Sequence, residues 1–199
     1  MLSPAISPDT PVFRLARQAG TTLIEVLVTL VILAFGLLGI AVFQSKSQVG
    51  SLESYQRAQA VILLQDMSAR LQSNLRRAGD YVAMDVGTSD ERPDDCSAAA
   101  PGAALDLCEW SKALKGASEQ RNGTKMGAMI GARGCIELLQ AADASAGVCR
   151  PALYQVSVSW QGMHETIAPS LACGKDQYGT DTHRRSIGVQ VTSPLLDCQ

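Results

Sequence analysis

The run from Thr21 to Phe43, TTLIEVLVTLVILAFGLLGIAVF, is 23 residues long and holds one ionisable side chain, Glu25. As an α-helix it extends about 34 Å, against a hydrocarbon core about 30 Å thick, so it is long enough to span a bilayer. Arg14 and Arg17 precede it, and only Lys46 follows closely. The positive-inside rule therefore places the N-terminus in the cytoplasm and the bulk of the chain outside. Glu25 breaks the apolar pattern close to its start. A carboxylate at that depth is disfavoured and marks a function by default.

The remainder of the 199 residues suffices for one soluble domain. All six cysteines, Cys96, Cys108, Cys135, Cys149, Cys173 and Cys198, lie beyond the apolar run, which suggests an oxidising far side. Neither a C-x-x-C nor a zinc-type Cys/His spacing occurs among them, so disulfides are favoured over metal. Six thiols allow about fifteen full pairings. Neighbour pairing, Cys96 with Cys108, Cys135 with Cys149 and Cys173 with Cys198, is expected because local loops close at smaller entropic cost. The formal charge of −2 gives no electrostatic reason to expect nucleic acid as a partner.

After Gln44 the pattern becomes amphipathic. Ala60, Leu63, Leu64, Met67, Leu71, Leu75 and Ala78 recur at helical spacing, with Gln65, Asp66, Arg70, Arg76 and Arg77 between them. Gly79 reads as the stop, so one helix is expected from Thr21 to Ala78, about 87 Å long. Gly36 and Gly39 read either as weak points within it, where it bends, or as places of close helix packing in the membrane. From Asp80 to about Lys125 the chain reads as turn-rich and acidic, apart from a short helix in LDLCEWSKALKGA with Asp106 near its start and Trp110 as a packing anchor. The Asn-Gly of RNGTK fits a hairpin. Strands are expected in GCIELLQ, in ALYQVSVSW with Tyr154, Val156, Val158 and Trp160 alternating against Gln155, Ser157 and Ser159, in SIGVQVT, and more weakly in HETIA. One long N-terminal helix followed by antiparallel strands gives an α+β domain.

The run AG|TTLIEVLVTLVILAFGLLG resembles the class III signal of type IV pilins and pseudopilins: Gly20, then an apolar stretch with Glu at the fifth position after the cut. The resemblance implies that prepilin peptidase removes residues 1–20 and N-methylates Thr21. It also implies that 21–43 remains as a transmembrane helix, that 44–78 forms the amphipathic half of the same helix, and that 79–199 is a periplasmic globular domain of the type IV pilin fold. In an assembled pilus Glu25 would pair with the free amine at Thr21 of a neighbouring subunit and set the axial stagger; otherwise it snorkels to the interface. Thr21 departs from the Phe usual at that position, which bears on the efficiency of processing. A Cys173–Cys198 bridge would tie the C-terminus to the sheet, as pilins commonly do.

Later segments, DLCEWSKAL, RGCIEL, YQVSVSW and RRSIGVQV, resemble in order the helix and strands of V-type minor pilins, also called type IV pilus modification proteins. That implies a structural subunit of an assembly-priming tip complex. Its partners would be other minor pilins, the major pilin and a tip adhesin, and its location the inner membrane and then the pilus tip. The pilus would serve motility, adhesion or DNA uptake. Major pilins usually carry a proline in the apolar helix and this chain has none, which favours a minor subunit or a pseudopilin.

A pseudopilin of type II secretion and a signal-anchored periplasmic enzyme or binding protein are the other classes open. No catalytic set and no cofactor motif is visible, since His164 and His183 are isolated in sequence and no serine sits in a G-x-S-x-G context. SDERPDD and KDQYGTD hold carboxylates without an EF-hand spacing and read as solvated loops. Arg184 and Arg185 read as a strand flank.

Overall fold

The computed structural model describes residues 20–116, 120–121, 124–125, 129–145 and 147–193. The leader, apart from Gly20, and Cys198 lie outside them. The chain divides into two units, Met1–Lys46 and Ser47–Gln199, which are taken in turn.

The described part of the first unit is the beginning of helix α1, Leu23–Ser73. The helix begins two residues later than Thr21 because Thr22 stands at its cap. The Glu25 N–H donates to the Thr22 carbonyl at 3.0 Å and to its Oγ1 at 3.4 Å, so Thr22 takes up orphan donors of the first turn. Every residue from 20 to 46 is exposed, including Leu23 at 85%, Phe35 at 71% and Phe43 at 72%. Each large apolar side chain left in water forgoes about 1.5–3 kcal/mol of burial. The helix is long and apolar enough to cross a membrane, and that environment is the one its sequence suits.

In the second unit the rest of α1 buries Gln56, Ala60, Leu64, Met67, Ser68 and Leu71. Leu63 and Leu75 pack partly buried against the same core. The α-helix ends at Ser73, five residues short of Ala78. Asn74 leaves the helical region (φ −125°, ψ 35°) and a kinked 3₁₀ segment, Leu75–Tyr81, continues the chain. The Asn74 side chain explains the break: its amide donates to the Arg70 carbonyl at 3.3 Å and to the Tyr81 hydroxyl at 2.9 Å, an alternative that asparagine offers to helical bonding.

Strand β1, Ala83–Gly87, follows, then helix α2, Ala103–Leu114, the two-residue strands β2, Gln120–Arg121, and β3, Thr124–Lys125, and the long strands β4, Ile130–Gln140, β5, Ala152–Gln161, and β6, Arg184–Ser193. β2 and β3 pair antiparallel, Gln120 with Lys125 and Arg121 with Thr124; the Asn-Gly expected to form the turn lies outside the described residues. The main sheet is antiparallel in the order β1-β4-β5-β6. One face meets α1 and α2 across a core that includes Met67, Leu71, Trp110, Ile136, Val156 and Val158. The Trp110 indole donates to the Leu63 carbonyl at 3.0 Å, docking α2 on α1. Opposite it Gly134 is obligatory, because a Cβ there would stand 2.2 Å from the Trp110 ring.

The alternation in β5 does not mark a wet face. Ser157 and Ser159 are fully buried and Gln155 is 8% exposed, because the chain from Gly162 to His183 folds over the second face of the sheet. HETIA belongs to this covering segment and forms no strand. Two devices fix the cover. Cys173 is bonded to Cys135 of β4, and Tyr178 donates to the Gly131 carbonyl at 2.8 Å while meeting Ser159 Oγ at 3.2 Å.

Of the neighbour pairing, the structure makes Cys96–Cys108, with Cα atoms 5.8 Å apart, and replaces Cys135–Cys149 and Cys173–Cys198 by Cys135–Cys173, with Cα atoms 5.7 Å apart. Cys149 is also disulfide-bonded. Loop entropy alone favours short loops, but the cover brings Cys173 onto β4 and that placement decides the pairing. In the chain-entropy account, bridging 12 and 38 residues contributes about 3 and about 4 kcal/mol.

Candidate functional site

The N-terminal site is built from Gly20, Thr21, Thr22 and Glu25. Gly20 needs no special backbone here and has open space around the position of a Cβ, with nothing within 4 Å. Nothing among the described residues therefore requires glycine at 20. Thr21 is exposed and lies before the helix. Glu25 is in the first turn of α1, where a carboxylate suits the helix dipole.

With Thr22 at the cap, Thr22-Leu23-Ile24-Glu25 has the spacing of a capping box, a local role for the pair that reading from Gly20 had missed. The Glu25 amide uses it, but the carboxylate has no ion-pair partner among the described residues. Thr29, one turn on, satisfies its hydroxyl on the Val26 carbonyl at 2.8 Å. Glu25 is thus the one charge on the apolar half of α1, and the described residues offer it no counter-ion.

Residues 15–41 match the family described as the prokaryotic N-terminal methylation motif. This is a type IV pilin-like prepilin N-terminus. Processing by prepilin peptidase and assembly with other pilins follow from the motif, and the exposed apolar helix fits a membrane-anchored, pilus-assembled protein. The α+β architecture is consistent with the type IV pilin fold. No curated protein and no solved structure matches the chain.

The other charged groups singled out in the pilin-like sequence are tied into the second unit. Asp90 of SDERPDD is not a solvated loop residue: its side chain is 8% exposed. Oδ1 meets Lys115 Nζ at 2.6 Å and the Ser111 hydroxyl at 3.0 Å, and Oδ2 accepts from the Gly87 N–H at 2.9 Å and from Arg92 at 3.1 Å. Burial opposes the charge, but these donors outweigh it and hold the carboxyl down at about 2. With its oxygens occupied by cations and N–H donors, Asp90 has no lone pairs to spare for calcium. No cluster of three or more metal-ligating side chains occurs among the described residues.

Arg184 and Arg185 are likewise consumed internally. Arg184, 2% exposed, grips Asp181 with two bonds at 2.6 and 2.8 Å and donates to the carbonyls of Pro169 at 3.0 Å, Leu171, and Cys173 at 3.1 Å. Arg185 meets Glu53 of α1 at 3.1 Å and the His164 carbonyl at 2.7 Å. His164 Nδ1 stands 3.3 Å from Glu53, whereas His183 contacts the Thr180 hydroxyl at 2.9 Å.

A second network joins α1 to α2. Arg70 meets Asp66 at 3.0 Å and Asp106 at 2.8 Å and also bridges to Glu109, and the Tyr81 hydroxyl donates to Asp106. Burial works against the charge on Arg70, but its acidic partners prevail and raise its pKa. Burial and the Asp106 carboxylate push the Tyr81 phenol up to about 12. Apart from Asp66, one helical turn from Arg70, these partners join segments far apart in sequence, so spacing alone gave no sign of them.

Proposed function

We propose that the chain is a minor pilin of a type IV pilus, of the V type, and serves in the tip complex that primes assembly. The observation that carries the reading is Glu25: a carboxylate without an ion-pair partner among the described residues, five residues after Gly20, on an exposed apolar helix that matches the methylation motif. In this reading the peptidase cuts after Gly20, Thr21 becomes the methylated terminus, and the Glu25 carboxylate pairs with the Thr21 amine of the next subunit. Each partner then loses an unpaired charge in a low-dielectric setting, where such pairs are strongest. The domain beyond α1 lies in the periplasm, its disulfides forming there, and the protein is structural. Its partners are minor and major pilins and a tip adhesin.

A pseudopilin of type II secretion shares the motif, and the absence of proline from the apolar helix favours either of the two over a major subunit. The test separates processing from assembly. Gly20→Val leaves the fold untouched, since the position is open, and abolishes cleavage because the peptidase loses close access to the backbone. Glu25→Leu leaves cleavage intact and membrane content normal but strips the protein from sheared pili. A Glu25→Leu protein present in pili at the wild-type level overturns the pairing role.

A further inference from the structure

The two edges of the main sheet are built differently. β1 is five residues long, is bulged between Ala83 and Val86, and carries Asp85 with φ 50°; these are devices that blunt an edge. β6 has none of them. Its ten residues pair with β5 in unbroken register from Arg184↔Gln161 to Ser193↔Ala152, and from Ser186 to Ser193 it contains no charge and no proline. Gly188, Val189 and Gln190 are exposed. Among the described residues no further strand pairs with β6, and no loop backbone bonds to Ser186–Ser193.

Beside this edge lies a groove of about 280 Å³ between α1 and the sheet, bordered by Gly50, Ser54, Arg57, Trp160 and Ile187. Glu53, at its margin, is already held by Arg185. Arg57 is exposed and makes no ion pair or hydrogen bond among the described residues. The groove therefore mixes polar groups, Ser54, Ser186 and the Glu53–Arg185 pair, with Trp160 and Ile187, and offers in Arg57 a cation with no counter-ion among the described residues.

We infer that the free edge of β6 is a strand-addition site for an extended segment of a different polypeptide, uncharged along the paired stretch except for one carboxylate directed at Arg57. The backbone supplies the affinity and the groove the selectivity, as in β-augmentation. The identity of the partner as another assembling subunit rests on the function proposed above. A second copy does not fit the edge. Antiparallel self-pairing in a continuous sheet would reverse one α1 relative to the other, which helices anchored alike in one membrane cannot do. Parallel self-pairing would set the row of Ile187, Val189 and Val191 against the polar row of Ser186, Gly188 and Gln190.

The test places a photoreactive benzophenone amino acid at position 190 of the full chain in its own cells, with position 84 on β1 as the control. The expected result is an adduct with a different polypeptide from 190 and none from 84, mapped by mass spectrometry to an extended segment bearing an acid. Arg57→Glu lowers its yield about tenfold, Arg57→Lys retains it, and reversing the partner's acid to arginine restores it with Arg57→Glu. Since Arg57 makes no ion pair or side-chain hydrogen bond among the described residues, these variants keep the far-ultraviolet circular dichroism of the parent. No adduct at 190, an adduct only between copies of this chain, or a yield indifferent to Arg57→Glu overturns the inference. A chain that is cleaved and enters pili without the adduct sinks this site alone, whereas a chain never cleaved sinks the function it rests on.

Discussion

Asp90 illustrates how one carboxylate closes the end of a strand onto a helix. Its folded pKa of about 2 lies below the value of about 3.9 for an unfolded aspartate. The unfolded chain therefore binds the proton more readily, and the stabilisation is present above about pH 4 and lost as the pH falls toward about 2. A difference of nearly two units corresponds to about 2–3 kcal/mol. Asp90→Asn forfeits this and leaves Lys115, 17% exposed, without its counter-ion, so the expected loss at pH 7 is about 2–4 kcal/mol. Denaturant unfolding of the detergent-solubilised chain checks it. The gap between parent and variant should be wide at pH 7 and close as the pH approaches 2, and a gap independent of pH would show that the charge is not the stabilising feature.

At the scale of elements, two glycines should respond in opposite senses to the same substitution. Gly134→Ala drives a methyl into the Trp110 ring, and with β4 and α2 fixed by the sheet and by the Trp110–Leu63 bond the overpacking should cost about 1–3 kcal/mol. Gly36→Ala meets nothing within 4 Å and should stabilise α1 by about 1 kcal/mol through helix propensity; thermal unfolding followed by circular dichroism reads the first, and helicity in detergent the second. The contrast marks what was legible in the sequence. The apolar period of Ala60, Leu64, Met67 and Leu71 identified the helix face, β-branched runs located β5 and β6, and the apolar run of GCIELLQ located the second part of β4, because those signals are local. β1 escaped notice since its five residues include an aspartate at positive φ and a bulge. The helix end was misplaced because Asn74, not Gly79, redirects the chain. The burial of Ser157 and Ser159 was hidden since the cover over them is a long irregular segment held by Cys173, Tyr178 and Arg184, and no period announces such a layer. At the candidate site Gly20 and Glu25 stood out by type and spacing, whereas Thr22 as cap went unseen because two threonines in a row look interchangeable.

At the scale of the whole molecule, copy number in a filament follows from how surfaces are used. A subunit that repeats along a helical polymer must present two complementary patches, so that each copy binds the next by the same heterologous contact. The edge of β6 is not complementary to itself, and its proposed occupant is a strand from a different chain. Contacts of that kind end with the complex that contains them, and the number of copies is then set by the number of filaments, not by their length. The protein should therefore be scarce in sheared pili relative to the major subunit, and quantitative mass spectrometry should give a ratio that falls as mean pilus length rises. On the tip role proposed above, deleting the chain should reduce the number of surface pili while leaving the few that form at ordinary length, because initiation would be lost and elongation would not. Length and number are read from the same electron micrographs. Equimolar amounts with the major subunit, or a deletion strain with normal numbers of shortened pili, would assign the chain to the shaft and overturn the tip reading.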